Sequence, residues 1–306
     1  MDMKKKIDSS VKIGDWQLAN PIMTASGTFG YGVEYSDFVN LNSLGAIVVK
    51  GISIKPRPGN PPPRIVETAC GMLNAIGLEN PGLDRFISEK MPLLRKLKCS
   101  VVVNILGDTL DEYCVLAEQL CDQDIAGIEA NISCPNVKKG GVAFGTEARM
   151  VYDLTRKIKK KCNKPLIVKL SPNVTDISAI ALAAEEGGAS AVSLINTLLG
   201  MAIDIKSRKP KLANIVGGLS GPAIKPIALR MVWQVAQRVK IPVIGIGGIK
   251  SVEDVIEFML AGATAVQIGT ANLVNPSIAG EIVREFEKYL HVNRIHSAKE
   301  LIKGLN

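Results

Sequence analysis

The fold is decided by the stretch Pro242-Val243-Ile244-Gly245-Ile246-Gly247, which is followed by a helical pattern at Val252–Ala261 and then by Ala265-Val266-Gln267-Ile268-Gly269. Both runs are short, mostly apolar and rich in β-branched residues, and each ends at glycine. A strand, a helix and a second strand in this order favour parallel pairing, with each strand buried on both faces. The stretch therefore predicts one β-α-β unit of an α/β fold.

The same alternation occurs along most of the chain. The runs that read as strands are Pro21–Ser26, Ala46–Lys50, Val101–Asn104, Gly127–Asn131, Leu166–Lys169, Ala191–Asn196, Pro242–Gly247 and Ala265–Gly269. The intervals with helical periodicity are Thr109–Leu120, Ala148–Lys161, Ile177–Glu186, Ile224–Val239 and Val252–Ala261. Eight parallel strands close a barrel, so we predict a (β/α)8 TIM barrel formed by a single domain over residues 1–306. The proline- and glycine-rich segment around residues 54–81 is predicted to be a loop excursion over the barrel mouth.

An open, doubly wound α/β sheet is the alternative architecture. Such a sheet normally carries a Gly-x-Gly-x-x-Gly turn directly after a strand. The nearest match, Gly245-Ile246-Gly247-Gly248-Ile249-Lys250, fails at its last position. The barrel is therefore the favoured prediction.

Composition limits the class of protein. The chain has 306 residues, of which 47% are apolar, so it can bury a large core. Since no apolar run reaches about eighteen residues and no apolar stretch follows the basic N-terminus, we predict neither a membrane span nor a signal peptide, and a cytoplasmic location. The six cysteines show no zinc or iron–sulfur spacing, which predicts no metal in this subunit.

The positive charge of the chain raises the question of nucleic-acid binding. The formal net charge is +8, and the densest basic run, Arg156-Lys157-Ile158-Lys159-Lys160-Lys161, lies late in a predicted helix. Aromatic residues make up only 4% of the chain and offer little surface for base stacking. A basic run at the end of a helix is favoured by the helix dipole and is typical of a solvated face. A small anionic substrate or a phosphate-bearing cofactor would use positive charge equally well, so the charge does not decide the partner, and we predict no nucleic-acid binding.

Polar residues and glycines follow the predicted strands, at the end of the barrel where active sites form. They are Ser26, Lys50, Asn104, Asn131, Lys169, Asn196, Gly247-Gly248 and Gly269-Thr270. The two glycine-containing pairs follow strands seven and eight, where barrels often bind phosphate through backbone N–H groups, and Gly221 adds a close backbone approach after strand six. A single glycine pair favours a plain tight turn, whereas the combination favours a phosphate group. Together with two lysines and several amides, it suggests flavin mononucleotide (FMN) and a flat polar heterocycle as ligands.

A thiol lies in the loop after the fourth predicted strand, in the segment Asn131-Ile132-Ser133-Cys134-Pro135-Asn136. The chain has only two histidines, both near its C-terminus, so the usual base at neutral pH is scarce. Cys134 is the leading candidate for a catalytic base. The alternative interpretation is a buried, inert thiol at a strand exit, because free cysteines commonly behave as small core residues.

Several segments in their order and spacing resemble dihydroorotate dehydrogenase over essentially the whole chain. They are Ala25-Ser26-Gly27-Thr28-Phe29-Gly30, Lys50-Gly51, Asn74-Ala75-Ile76-Gly77-Leu78-Glu79-Asn80, Asn131-Ile132-Ser133-Cys134-Pro135-Asn136 and Ile195-Asn196-Thr197. The resemblance implies flavin contacts at Ser26, Lys50, Gly51, Asn104, Asn131, Lys169, Ile195, Gly221, Gly247, Gly248, Gly269 and Thr270. It implies orotate contacts at Lys50, Asn74, Ala75, Ile76, Gly77, Leu78, Asn131, Asn136, Asn196 and Thr197.

The resemblance also implies a reaction. Cys134 would take a proton from C5 of (S)-dihydroorotate while a hydride leaves C6 for the flavin, giving orotate for pyrimidine (UMP) synthesis. A cysteine at this position separates the chain from the membrane-bound class, in which the base is serine. The Ser-Gly-Thr-Phe-Gly start and Thr197 resemble the NAD-linked, two-subunit type. That type implies a partner subunit with FAD and a [2Fe-2S] cluster, and a homodimer of barrels within a heterotetramer.

Other functions remain open from the sequence alone. A one-subunit, fumarate-dependent dihydroorotate dehydrogenase shares the cysteine base. A tRNA dihydrouridine synthase is also a flavin barrel with a loop Cys-Pro, but this chain shows no added RNA-binding domain. The pyrimidine-reducing domain of dihydropyrimidine dehydrogenase has a similar cysteine loop within a much larger iron–sulfur chain. A flavin-binding module without turnover is the alternative from a non-enzyme class.

Overall fold

The structure is a computed structural model, and it describes residues 7–132 and 145–305. Two residues predicted to take part in the site, Cys134 and Asn136, lie outside the described residues. The bounds and contacts given below refer to the described part of the chain.

Parallel strands form a closed barrel, as the sequence predicts. Within the described residues its strands, numbered β1 to β8 in chain order, are Ile22–Thr24, Ala46–Ile52, Ser100–Ile105, Gly127–Asn131, Leu166–Lys169, Ala191–Leu194, Val243–Ile246 and Ala265–Ile268. Consecutive strands pair in parallel around the ring, and β8 pairs with β1 to close it. The prediction of an α/β (β/α)8 barrel is confirmed, and β4 and β5 have the predicted bounds.

Helices lie outside the barrel and cover the strands. The longer ones are Leu110–Cys121, Ala148–Lys161, Ile177–Glu186, Lys225–Ala236, Val252–Leu260 and Ile278–Val292. Shorter helical turns are Val33–Tyr35, Leu41–Ser43, Leu83–Arg85, Phe86–Lys90, Met91–Leu94, Pro222–Ile224, Ala271–Val274 and Ala298–Leu301. Side chains cap several N-termini, such as Thr109, which accepts a hydrogen bond from the backbone N–H of Glu112.

The helix Ala148–Lys161 explains the basic run at residues 156–161. Its buried stripe contains Val151, Leu154 and Ile158, whereas Arg156 and Lys157 are exposed. Apolar residues three and four positions apart face the barrel, so the cations between them point to solvent. The basic run is therefore the solvated face of an amphipathic helix.

A second, antiparallel sheet lies over the C-terminal end of the barrel. Its strands, in spatial order, are Leu198–Met201, Val216–Ser220, Gly71–Asn74 and Ile65–Thr68. We call it the cap sheet. The last two strands belong to the segment 54–81, which is predicted from the sequence to be a loop excursion over the barrel mouth. That segment thus contains a β-hairpin, and the hairpin pairs with a strand about 140 residues further along the chain.

Two smaller hairpins complete the sheet structure. The pair Val11–Ile13 and Trp16–Leu18 closes the opposite end of the barrel, where the Trp16 indole donates a hydrogen bond to the Ser100 hydroxyl at 2.9 Å. The pair Ile203–Asp204 and Lys209–Pro210 extends from the cap region. None of the helices in residues 7–132 and 145–305 has both the length and the apolar character needed to cross a membrane.

Candidate active site

One large cavity lies between the C-terminal ends of the barrel strands and the cap sheet. Its volume is about 1480 Å³, which exceeds the roughly 300–1,000 Å³ of a typical small-molecule site and leaves room for two ligands side by side. Every predicted contact residue that the structure describes lines this cavity. They are Ser26, Lys50, Gly51, Asn74, Ala75, Ile76, Gly77, Leu78, Asn104, Asn131, Lys169, Ile195, Asn196, Thr197, Gly221, Gly247, Gly248, Gly269 and Thr270.

The floor of the cavity carries a buried cation, Lys169, at the end of β5. Its ammonium nitrogen donates a hydrogen bond to the Ser26 hydroxyl at 3.1 Å. The same nitrogen lies 3.6 Å from Oε1 of Glu129, and the exposed fractions of the two side chains are 6% and 0%. A charge so deeply buried needs a compensating partner, which Glu129 supplies from the neighbouring strand β4.

Glu129 is the centre of a polar cluster inside the barrel, just below the cavity. Its Oε1 accepts a hydrogen bond from the Asn104 amide at 2.7 Å, and its Oε2 accepts bonds from the Ser193 hydroxyl at 2.9 Å and the Gln267 amide at 2.7 Å. These donors come from β3, β6 and β8, so the carboxylate ties together strands across the barrel. Glu129, Ser193 and Gln267 are not among the residues predicted from the sequence. A signal was present, since Glu129 is an acidic residue in the middle of an otherwise apolar strand.

The Asn104 side chain has an unused acceptor. Its amide nitrogen donates a hydrogen bond to Glu129, and its Oδ1 is buried without a hydrogen-bond partner among the described residues. A buried amide oxygen left in this state costs about 1–3 kcal/mol. Asn104 lines the cavity, so a ligand with an N–H donor is one way to satisfy it.

Glycines form a cradle at the side of the cavity beneath the cap. Gly247 and Gly248 follow β7 and have φ of +134° and +74°, a region that favours glycine. A Cβ atom added at Gly248 would lie 2.8 Å from Cβ of Lys225 and 2.9 Å from the carbonyl oxygen of Gly221. Two hydroxyls lie in the same region, where Thr270 donates a hydrogen bond to Ser220 at 2.8 Å. Tight backbone turns with hydroxyl donors are suited to a phosphate group.

Amides line the opposite part of the cavity. The Asn196 amide donates a hydrogen bond to Oδ1 of Asn131 at 3.3 Å, and its Oδ1 accepts one from the backbone N–H of Thr197 at 2.8 Å. The Tyr113 hydroxyl donates to the Asn131 carbonyl oxygen at 2.7 Å and fixes the end of β4. Asn131, Asn196 and Thr197 thus form a connected polar wall of the cavity, which can form hydrogen bonds with the donors and acceptors of a planar ring.

The loop after the cap hairpin contributes the remaining wall, from Asn74 to Leu78. The Asn60 amide donates a hydrogen bond to the Ala75 carbonyl oxygen at 3.0 Å, and Arg64 forms an ion pair with Glu79. Leu78 has a φ of 59°, which is unusual for a residue with a branched side chain. Such backbone strain is typical of ligand-binding loops that the surrounding contacts hold in place.

Lys50 lies on the cavity wall at the end of β2. Its side chain is half-buried, and no hydrogen bond joins its ammonium group to another described residue. A cation without a partner at the edge of a cavity is placed to bind an anionic ligand group such as a carboxylate.

Cys134 and Asn136 belong to a segment outside the described residues, but both flanks of that segment are described. Ile132 and Gly145, the described residues on either side of it, both line the cavity. Among the described cysteines Cys70 lines the cavity, from the exposed turn of the cap hairpin. Burial raises the pKa of both Cys99 and Cys162 to about 11, which keeps these two thiols protonated near neutral pH.

No group of three or more His, Cys, Asp or Glu residues within the described ranges is arranged to hold a metal ion. The expectation that this subunit binds no metal stays a prediction.

Comparison with known proteins identifies the family. The profile of the dihydroorotate dehydrogenase family matches residues 9–290, which is most of the chain. The relative from Geotalea uraniireducens, named dihydroorotate dehydrogenase B (NAD(+)), catalytic subunit, is 59% identical over 301 residues, covering 98% of this chain and 99% of its own length. A protein of the same name from a Thermoanaerobacter species is 55% identical over 295 residues, covering 96% and 98%. The predicted resemblance to the NAD-linked type is confirmed by these relatives.

A solved structure supports the fold independently. The dihydroorotate dehydrogenase of Eimeria tenella, in complex with ferulenol, superposes with a TM-score of 0.81. The match covers 99% of this chain and 90% of that one at 22% sequence identity, so it bears on the fold alone. Taken with the sequence relatives, the barrel and the residues around its cavity place this chain in the dihydroorotate dehydrogenase family.

Proposed function

We propose that this chain is the catalytic subunit of an NAD-linked dihydroorotate dehydrogenase, which oxidises (S)-dihydroorotate to orotate in pyrimidine synthesis. The observation that carries the proposal is the convergence of all described contact residues on one cavity, with a lysine on its floor and another on its wall. The family membership and the relatives' name agree with it.

We propose FMN as the resident cofactor, and the described residues fit it. The glycine cradle at Gly247 and Gly248 would hold the phosphate, while the buried acceptor Asn104 and the cation Lys169 would face the ring. Gly51, Ile195 and Gly269 line the same cavity and would pack against the cofactor. When bound, FMN supplies the hydride acceptor that no amino-acid side chain provides.

The substrate would occupy the part of the cavity next to the amide wall. Lys50 would bind the carboxylate, and the amides of Asn74, Asn131 and Asn196 would hold the ring in a fixed orientation. Asn136 is proposed as a further substrate contact. Fixing the ring in this way directs the C5 hydrogen towards the base and the C6 hydrogen towards the cofactor.

Cys134 is proposed as the base that takes the C5 proton onto its thiolate. The role is supported by Ile132 and Gly145, the described residues on either side of its segment, because both line the cavity. The thiols of Cys99, which is half-buried, and of Cys162, which is buried, lie elsewhere and, with raised pKa values, are unsuited to proton abstraction.

Electrons would leave the barrel through a partner subunit. The relatives are named as catalytic subunits of an NAD(+) enzyme, and we propose a second subunit with FAD and a [2Fe-2S] cluster. A homodimer of barrels within a cytoplasmic heterotetramer is the assembly that this proposal implies.

Steady-state turnover of the isolated chain tests the electron route. Orotate formation is measured with NAD, fumarate or an artificial dye as the acceptor. We expect turnover with the dye and little with NAD until the partner subunit is added. Rapid turnover with fumarate would assign the chain to the one-subunit type. Rapid NAD reduction without a partner would contradict the proposal that a second subunit transfers the electrons to NAD.

A further inference from the structure

We propose that Glu129 is a positioning residue that holds the Lys169 ammonium at the cavity floor and, by offsetting its charge, lowers the reduction potential of the bound flavin. This inference rests on the proposed function, because it takes FMN as the occupant of the cavity. It concerns a side chain that lies below the ligand-binding surface and outside the predicted contacts.

The contacts of Glu129 point to an ionised carboxylate. Both oxygens accept hydrogen bonds, from Asn104, Ser193 and Gln267, and every one of these groups is buried. A carboxylate accepts at both of its oxygens, as Glu129 does here. The ammonium of Lys169, 3.6 Å away, is the cation that balances the charge.

The effect of Glu129 on a ligand depends on how the Lys169–Glu129 ion pair is oriented relative to the cavity. Lys169 lines the cavity, while Glu129 lies behind it within the barrel. A ligand above the floor therefore experiences the positive charge at close range and the negative charge from further away. Coulomb interactions fall with distance and are strong where water is excluded, so removal of the carboxylate would strengthen the positive field in the cavity. A stronger positive field favours the electron-rich, reduced form of a bound flavin.

The surrounding amides make a charge-only variant feasible. In Glu129→Gln the new amide nitrogen can replace Oε2, while the remaining oxygen keeps the contacts to Asn104 and Lys169. The Gln267 amide can rotate to accept from the new donor, because its Oε1 has no partner among the described residues, and the Ser193 hydroxyl can also turn. The variant thus removes the charge with little change in shape.

The experiment measures the midpoint potential of FMN bound to the purified chain, by equilibration with reference dyes under anaerobic conditions. We expect an upward shift for Glu129→Gln and none for Ser193→Ala, which removes one hydrogen bond to the same carboxylate but no charge. If Glu129→Gln binds flavin and has the potential of the wild type, the inference is wrong.

A second variant covers the case in which the single variant does not fold because a cation is left unpaired. Glu129→Gln combined with Lys169→Met replaces both charges, and its potential should fall below the wild-type value because the nearer charge is lost. A wild-type potential in this variant would also overturn the inference. Failure of the wild-type chain to bind FMN would instead reject the proposed function.

Discussion

The Thr270 hydroxyl donates a hydrogen bond to the Ser220 hydroxyl at 2.8 Å. Ser220 ends a strand of the cap sheet, and Thr270 follows the last barrel strand, so this bond joins cap and barrel beside the glycine cradle. Both hydroxyls line the cavity and are placed to bind the phosphate proposed there.

This contact predicts that Thr270→Val weakens FMN binding. Thr270→Val removes the hydroxyl that orients the Ser220 hydroxyl beside the phosphate, and loss of this hydrogen bond is expected to cost about 1.5 kcal/mol, which corresponds to roughly a tenfold rise in Kd. The measurement is quenching of FMN fluorescence on titration with apoprotein. Ser88→Ala, which removes an exposed hydroxyl bonded at 2.8 Å to the Asp84 carbonyl oxygen, is the control and should leave the Kd unchanged. An unaltered Kd for Thr270→Val would remove Thr270 from the phosphate site.

The cradle predicts that Gly248→Ala lowers FMN occupancy. The added Cβ would contact Lys225 and the Gly221 carbonyl oxygen, in a backbone conformation that costs about 1–3 kcal/mol for other residues. Gly188→Ala is a matched control, because Gly188 also has a positive φ of +95° but meets only Lys159 at an ordinary 3.5 Å, away from the cavity. Both variants should lower the melting temperature, and only Gly248→Ala should lower the flavin content. Equal flavin content in the two would show that the cradle does not hold the cofactor.

The proposed base predicts that Cys134→Ala retains FMN but slows its reduction by dihydroorotate by about 10²–10⁴-fold. Stopped-flow absorbance of the flavin measures this rate. In the wild type the rate should rise with pH towards about 8.5, the usual pKa of a free thiol, since the thiolate is the active form. Cys114→Ala, on the helix Leu110–Cys121, is the control. A normal rate in Cys134→Ala together with a slow Cys70→Ala would move the base to the cap hairpin.

The raised pKa of the half-buried Cys99 thiol predicts that the free energy of unfolding falls at alkaline pH. Burial raises the pKa of Cys99 from 9.0 to about 11 in the folded chain. The folded state therefore binds the proton more tightly than the unfolded state, and the resulting stability is complete below pH 9 and disappears as the pH rises to about 11. Urea unfolding between these values should show a steeper decline in the free energy of unfolding for the wild type than for Cys99→Ser. Parallel declines would mean that this thiol does not contribute.

The barrel was predictable from sequence because its strands are local, apolar and regularly spaced. Gly127–Asn131 and Leu166–Lys169 show the reason, since each is a short buried run between helical stretches. The cap sheet was not predictable, because Gly71–Asn74 pairs with Val216–Ser220, far away in the chain. The latter strand contains two adjacent glycines, which have low strand propensity and hide its periodicity.

Site residues at the ends of the strands were predictable from the sequence, whereas those inside the strands were not. Lys169 and Asn131 end their strands, and the position alone brings them to the barrel mouth. Glu129 and Gln267 lie inside strands and point into the barrel, where the sequence pattern assigns apolar side chains. Only the folded barrel reveals that Glu129 contacts Lys169 and Asn104, and that Gln267 donates a hydrogen bond to Glu129.

Anaerobic titration of the FMN-loaded wild-type chain with (S)-dihydroorotate measures whether this chain oxidises the substrate. We predict that about one equivalent bleaches the flavin absorbance and that an equal amount of orotate forms, because each substrate molecule gives up one hydride and a hydride reduces one flavin fully. If the chain binds FMN but its flavin remains fully oxidised after excess dihydroorotate and no orotate forms, the proposed dihydroorotate oxidation is wrong.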